Sequence, residues 1–158
     1  MSKISPCLWF DGDAEEAANF YITLLPNSRI DHVQRSPVDY PGGKKVAVLM
    51  VAFTLAGQSF QGLNGGSKIA HSNAVSFSID CADQAEVDEL WGKLLEGGGE
   101  EVACSWLKDR YGMSWQIVPS IMPKYLADPD PVKAERVMKA MMGMVKLNIA
   151  ELRRAYEG

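Results

Sequence analysis

Gly57-Gln58-Ser59-Phe60-Gln61 recurs as Gly112-Met113-Ser114-Trp115-Gln116, so the chain writes G-x-S-[aromatic]-Q twice, 55 positions apart (112 − 57). Five residues can echo by chance, but a second match lies upstream. Asp13-Ala14-Glu15-Glu16-Ala17-Ala18-Asn19-Phe20-Tyr21 resembles Asp83-Gln84-Ala85-Glu86-Val87-Asp88-Glu89-Leu90-Trp91, 70 positions apart (83 − 13). Leu24 and Leu25 then align with Leu94 and Leu95. Both matches keep the same order. One supersecondary unit written twice accounts for them, with about 15 more residues (70 − 55) inside the first copy.

Working outward from the motif, residues 46–55 form a β-branched apolar run and 58–63 a second one. Ala56-Gly57 between them is a two-residue hairpin signal. Upstream, 4–10 reads as a strand with Pro6 near its start, and Asp13 with Glu16 as a capping box for a helix. Ala17, Phe20, Tyr21, Leu24 and Leu25 make that helix's buried face. Residues 29–35 read as a strand, and 36–45, with Pro37, Pro41, Gly42 and Gly43, as the loop holding the extra length. The first unit is therefore β-α-β-β-β.

Residues 64–71 read as a linker. In 73–81, Val75, Phe77 and Ile79 alternate with Ser76, Ser78 and Asp80, which predicts a strand with one apolar face. A helix over 83–95 is capped by Asp83 and stopped by Gly97-Gly98-Gly99. Strands over 102–109 and 113–118 complete a second unit. Beyond Pro119, Asp130-Pro131 opens a helix whose apolar side is Val137, Met138, Met141 and Met142. Asn148 with Glu151 caps a last helix over 149–156. The expected class is α+β. Residues 1–119 are read as one duplicated domain with units at about 3–63 and 73–119, and 120–158 as its helical tail.

The chain has 158 residues, 47% of them hydrophobic, which is enough for a core of its own. Net charge is −4 with acids and bases scattered, so no basic stripe points to nucleic acid. No apolar run approaches the roughly 18–20 residues of a membrane helix, and none reads as a signal peptide. Cys7, Cys81 and Cys104 lack metal-type spacing and fit a reduced, cytoplasmic setting.

Paired β-α-β-β-β units resemble the vicinal oxygen chelate (glyoxalase/bleomycin resistance/dioxygenase) superfamily. The segments 7–12, 14–17, 20–21, 63–66, 104–110 and 114–116 look like its PhnB-like branch, often labelled 3-demethylubiquinone-9 3-methyltransferase. The Met-rich tail is also similar to relatives. The resemblance implies a curved mixed sheet in each unit, the pair forming a cup around a small ligand, and a homodimer. It also implies a metal held from the first and last strand of each unit. By the helix offset the first-strand positions fall on Pro6 and Ser76, and by the motif offset the last-strand positions fall on Gln61 and Gln116. Proline has no donor, neutral Ser and Gln are weak ones, and His32 and His71 lie elsewhere, so no metal and no other cofactor is expected.

The glycines do not form the Gly-rich loop of a Rossmann-type S-adenosylmethionine site, so the label is expected not to describe the reaction. The pocket candidates are Trp9, Gln61, Ser76, Ser78, Cys104, Trp106, Trp115 and Gln116. Each has a plainer reading. The glutamines and serines satisfy hydrogen bonds, the tryptophans pack, and Cys104 is a buried thiol. Three functions remain open: a small-molecule binding protein, a metal-independent isomerase or lyase, and a structural dimer without ligand. No residue stands out as an acid or base, so catalytic residues are unassigned.

Overall fold

The computed structural model describes residues 3–158 and divides into two compact units, the first ending at Ala70 and the second spanning His71–Gly158. The boundary falls in the segment read as a linker. The first unit contains β1 (Cys7–Phe10), α1 (Ala14–Tyr21), β2 (Arg29–Arg35), β3 (Val48–Leu55) and β4 (Gln58–Asn64). The second contains β5 (Ser76–Cys81), α2 (Gln84–Leu95), β6 (Glu100–Glu101), β7 (Trp106–Lys108) and β8 (Ser114–Pro119). Three helices follow, α3 (Ile121–Leu126), α4 (Pro131–Met142) and α5 (Ile149–Glu157).

Each unit folds one four-stranded mixed sheet, and the two orders correspond: β1-β4-β3-β2 and β5-β8-β7-β6. The first strand pairs with the last in parallel, and the rest is antiparallel. The class is α+β with a duplicated β-α-β-β-β unit, as the echo requires.

Gly57 and Gly112 adopt nearly the same left-handed φ, 82° and 81°. With Ala56 at φ 48°, Gly57 closes the β3–β4 hairpin as a two-residue turn with both φ positive, whose twist suits antiparallel strands. The second copy needs a longer loop, since Lys108 pairs with Ser114. After each glycine the pleat alternates. Phe60 and Trp115 are buried, while Gln61 and Gln116 on the opposite faces are half-buried.

In the first unit Leu8, Phe10, Val51, Phe53, Leu55 and Phe60 form the core under α1, which contributes Ala14, Ala17, Ala18 and Tyr21. Phe20 is only half-buried. In the second, Ile79, Cys81, Leu107, Trp115 and Ile117 meet Val87, Leu90, Trp91 and Leu94 of α2.

The two helices start differently. Asp83 accepts from the Glu86 amide at 2.9 Å while Glu86 accepts from the Ala82 amide at 2.7 Å, a reciprocal cap as expected. Asp13 makes no side-chain cap bond. Its place is taken by Asn64, from the far end of β4. The Asn64 Oδ1 accepts from the Gly12 and Ala14 amides at 3.1 and 3.0 Å, and its Nδ2 donates to the Val48 carbonyl at 2.9 Å. Asn64 is thus a buried tie between helix, β4 and β3, not a linker residue.

Other expectations shift. β1 begins only after Pro6, which has no amide to give a ladder. The run at 102–109 keeps only β7 as strand, with β6 just ahead of it at Glu100–Glu101, because Cys104 and Ser105 take consecutive left-handed conformations, φ 57° and 69°. α3 was not anticipated, since Pro123 lies inside it; a proline in a first turn breaks no intrahelical bond. Asp130 and Asn148 cap α4 and α5 as read, accepting from Val132 and Glu151 amides at 2.9 and 3.0 Å. Met122, Tyr125, Val137, Leu147 and Leu152 form a core among these helices, but Met138 and Met142 are exposed.

Replacing Asn64 by Ala leaves the fully buried Ala14 amide without an acceptor, so N64A is expected to lose about 3 kcal/mol in urea unfolding. D13A, which removes a side chain without a cap bond, is expected to change stability by less than about 0.5 kcal/mol.

Candidate functional site

Period-two alternation assigns every strand residue to the helix side of its sheet or to the far side. On the second sheet the far side carries Ser76, Ser78 and Asp80 from β5, Ser114, Gln116 and Val118 from β8, and Trp106 and Lys108 from β7. Gln116 lies at the centre of one row, opposite Ser78 on one side and Trp106 on the other. Directly opposed side chains on an antiparallel pair have Cβ atoms about 5 Å apart, so Trp106 and Gln116 are neighbours. The Gln116 Nε2 donates to the Ser76 hydroxyl at 2.9 Å, which fixes the amide. Ser114 donates to the Asn73 Oδ1 at 2.9 Å. The alternation thus brings Ser76, Ser78, Trp106 and Gln116 to one face.

On the first sheet the far side carries Cys7 and Trp9, Gln61 and Leu63, and Met50 and Ala52. Cys7 pairs with Gln61, and Trp9 with Leu63. The Trp9 indole lies on Gly65, where a β-carbon would come within 1.9 Å of the ring, and its Nε1 donates to the Ser67 carbonyl at 2.7 Å. Trp9 therefore seals the end of β4.

Trp115 and Cys104 lie apart from both groups. Trp115 is buried on the helix side against Phe77, ring centroids 5.3 Å apart, and its Nε1 donates to the Asp109 Oδ2 at 2.9 Å. The buried Asp109 carboxylate also accepts from the Tyr111 and Met113 amides at 2.8 and 3.0 Å. Held by these donors, Asp109 is the internal anchor of the 109–113 turn. Cys104 sits half-buried in the 102–105 bend, where its amide donates to the Met144 carbonyl at 2.9 Å.

The expected first-strand positions move. Leu8 and Phe10 are buried as Ile79 and Cys81 are, so the first strands correspond at 71 positions (79 − 8), while the helices keep 70. The extra residue is in the turn, where Gly12 at φ 107° lengthens the first copy by one. Opposite Gln61 and Gln116 stand Cys7 and Ser78, in place of Pro6 and Ser76.

Neither pair offers a donor set for a tightly held divalent ion. Glutamine carbonyls and a neutral serine are weak ligands. Partial desolvation pushes the Cys7 thiol above its ordinary value, away from the thiolate a metal binds. Among the described residues no three His, Cys, Asp or Glu side chains converge.

Changing Trp115 to Phe removes the indole donor to the buried Asp109 carboxylate, so W115F is expected to cost about 2 kcal/mol in urea unfolding. Burial, reinforced by Glu86, Asp80 and Asp83, pushes the Cys81 thiol from 9.0 up to about 12. Its contribution is fully present below the unfolded value near 9 and is lost as pH rises through about 12. Stability is expected to fall across that window by up to about 1.4 kcal/mol per pH unit. Urea titrations at about pH 8 and about pH 10 check it, and C81A is expected to flatten the slope.

Against known proteins, the chain matches the PhnB protein from Bacillus cereus at 33% identity and a TM-score of 0.67, over 75% of this chain and 99% of that one. Protein PA1353 from Pseudomonas aeruginosa shares the fold at 19% identity and a TM-score of 0.61, over 75% and 98% of the two chains. No curated protein matches. The Bacillus cereus chain is covered almost end to end by three quarters of this one, so the remaining quarter has no counterpart in it. The matching family model is described as 3-demethylubiquinone-9 3-methyltransferase and spans residues 2–118, ending before α3. The chain therefore belongs to the 3-demethylubiquinone-9 3-methyltransferase, or PhnB-like, family.

Proposed function

We propose that this chain is a small-molecule binding protein that holds its ligand on the far face of the second sheet, without the divalent ion its wider superfamily uses. The carrying observation is the Gln116 amide, fixed by Ser76 and flanked by Ser78 and Trp106. A locked amide and a half-buried indole suit an oxygenated, partly apolar or planar molecule: one supplies a directed hydrogen bond, the other a flat apolar wall.

Catalysis without a metal needs a group poised to exchange a proton near neutral pH. On the far faces, Cys7 is the residue with a resolved shift, and it is pushed away from neutrality. Binding is therefore favoured over an isomerase or lyase. Methyl transfer is favoured less. Gly65 is covered by Trp9, and a β-carbon on Gly66 would come within 2.3 Å of the 41–42 backbone, so this pair packs the fold. Gly97 and Gly98 end α2 with left-handed φ.

Each sheet has an outer strand, β1 or β5, with one side unpaired inside its own unit, and such edges call for cover. We place the chain as a homodimer. A reducing cytoplasmic setting fits the free cysteines.

Native mass spectrometry of protein purified without chelator tests the reading. The expected spectrum is a dimer carrying a small organic adduct that is lost in W106A and Q116A. A stoichiometric divalent ion, or an adduct indifferent to both substitutions, overturns it.

A further inference from the structure

Residues 144–148, between α4 and α5, with Ile149 at the start of α5, form a strap across the second unit. They lie beyond the family model, which ends at 118. At one end the Met144 and Val145 carbonyls accept from the Cys104 and Ser105 amides at 2.9 and 2.8 Å. At the other, Gln84 at the start of α2 grips the backbone twice. Its Nε2 donates to the Leu147 carbonyl at 3.2 Å, and its Oε1 accepts from the Ile149 amide at 2.8 Å. Lys146 pairs with Asp88 at 2.6 Å, and Leu147 is buried in the helical core between these fastenings.

The bend gripped by the strap closes partly on itself, with the Trp106 amide donating to the Ala103 carbonyl at 3.2 Å, but the Cys104 and Ser105 amides find their acceptors in the strap. Cys104 and Ser105 are consecutive left-handed residues with β-carbons, a conformation that persists only where its surroundings over-determine it. Ser105 is buried, so its amide needs an acceptor inside the protein. On the other side, the Ser105 hydroxyl donates to the Ile117 carbonyl, and the Ile117 amide donates to the Ser105 carbonyl at 2.9 Å. The Val102 amide donates to the Trp106 carbonyl at 2.9 Å and closes the bend. The next residue out of this clamp is Trp106.

We infer that Met144 and Val145 are positioning residues for Trp106: their carbonyls hold the left-handed step at Cys104 and Ser105, and that step places the indole beside Gln116. The family's common core supplies Gln116, Ser76 and Ser78, and the C-terminal extension of this chain sets the aromatic wall next to them. That Trp106 matters for binding rests on the reading of the far face given above. That the strap sets its place does not.

The test uses the full chain labelled with 5-fluorotryptophan, with W106F assigning the Trp106 signal and no ligand added. Two variants release the strap without touching the bend: Q84A/K146A removes its outer fastenings, and L147A its buried anchor. The expected result in both is a rise of about tenfold or more in amide exchange at Cys104 and Ser105, with a moved or broadened Trp106 fluorine signal. The Leu94 and Phe53 amides and the Trp9 signal are expected to stay as they were. Unchanged exchange and an unchanged Trp106 signal in both variants overturns the inference, as does a uniform rise throughout the second unit. Because no ligand is present, either failure leaves the binding reading standing on its own test.

Discussion

Gly57 and Gly112 turn the chain at φ near 80°, and the strand that follows each is set in phase by that turn. A pleated strand has no freedom beyond its phase, since shifting it by one residue exchanges the two faces of the sheet. The aromatic of G-x-S-[aromatic]-Q is thereby sent under the helix and the glutamine to the other side. The neighbouring strands follow through their registers, so Trp106, Ser78 and Cys7 owe their placement to the same two turns. A conformation that glycine tolerates without strain thus decides which side chains are core and which are available to a ligand.

The two copies share this phase but anchor it by different polar groups. The first uses Asn64, which reaches from the end of β4 to cap α1 and tie down β3. The second caps α2 locally with Asp83 and Glu86 and anchors its hairpin with Asp109 under the Trp115 indole. Among the described residues, no buried side-chain nitrogen or oxygen is left without a partner. That is why these groups can stand inside a core, where a missing partner would cost more than the bond itself contributes. Duplication preserved the hydrophobic alternation, while the polar fastenings diverged with the loops around them.

That difference explains what could be read in advance. The repeat, the sheet composition, and the caps of α2, α4 and α5 follow from short-range patterns: period two, a cap three residues before its partner, a glycine after the last turn. Asn64 was misread because its partners are about fifty residues away and its Asn-Gly-Gly context signals a loop. Pro6 was mistaken for the partner of Gln61 because Gly12 adds a residue in a turn where periodicity has no hold. The break at Cys104 and Ser105 has no local signal, since neither residue favours a left-handed conformation. Its cause is a strap some forty residues downstream. Ser76, Ser78, Gln61 and Gln116 were legible as far-face residues from alternation alone, and the same alternation sends Trp115 to the helix side, where its indole N–H finds Asp109.

The chemistry left on those faces sets what the protein can do. Enzymes place charge where it develops in the transition state, and they tune a proton donor or acceptor toward neutrality. The far face around Gln116 carries hydroxyls, an amide and an indole, groups that can orient a molecule, with Asp80 and Lys108 further along the same face. The resolved pKa shifts elsewhere are those of fastened structural groups. Lys146 and Gln84 hold the Asp88 carboxyl below its ordinary range, and Tyr156 and the Asp130 amide do the same for Asp128. Both carboxylates belong to the helical extension or to the points where it is tied. Asp88 ties the extension to α2 through Lys146, and Asp128 ties the extension to itself through Tyr156.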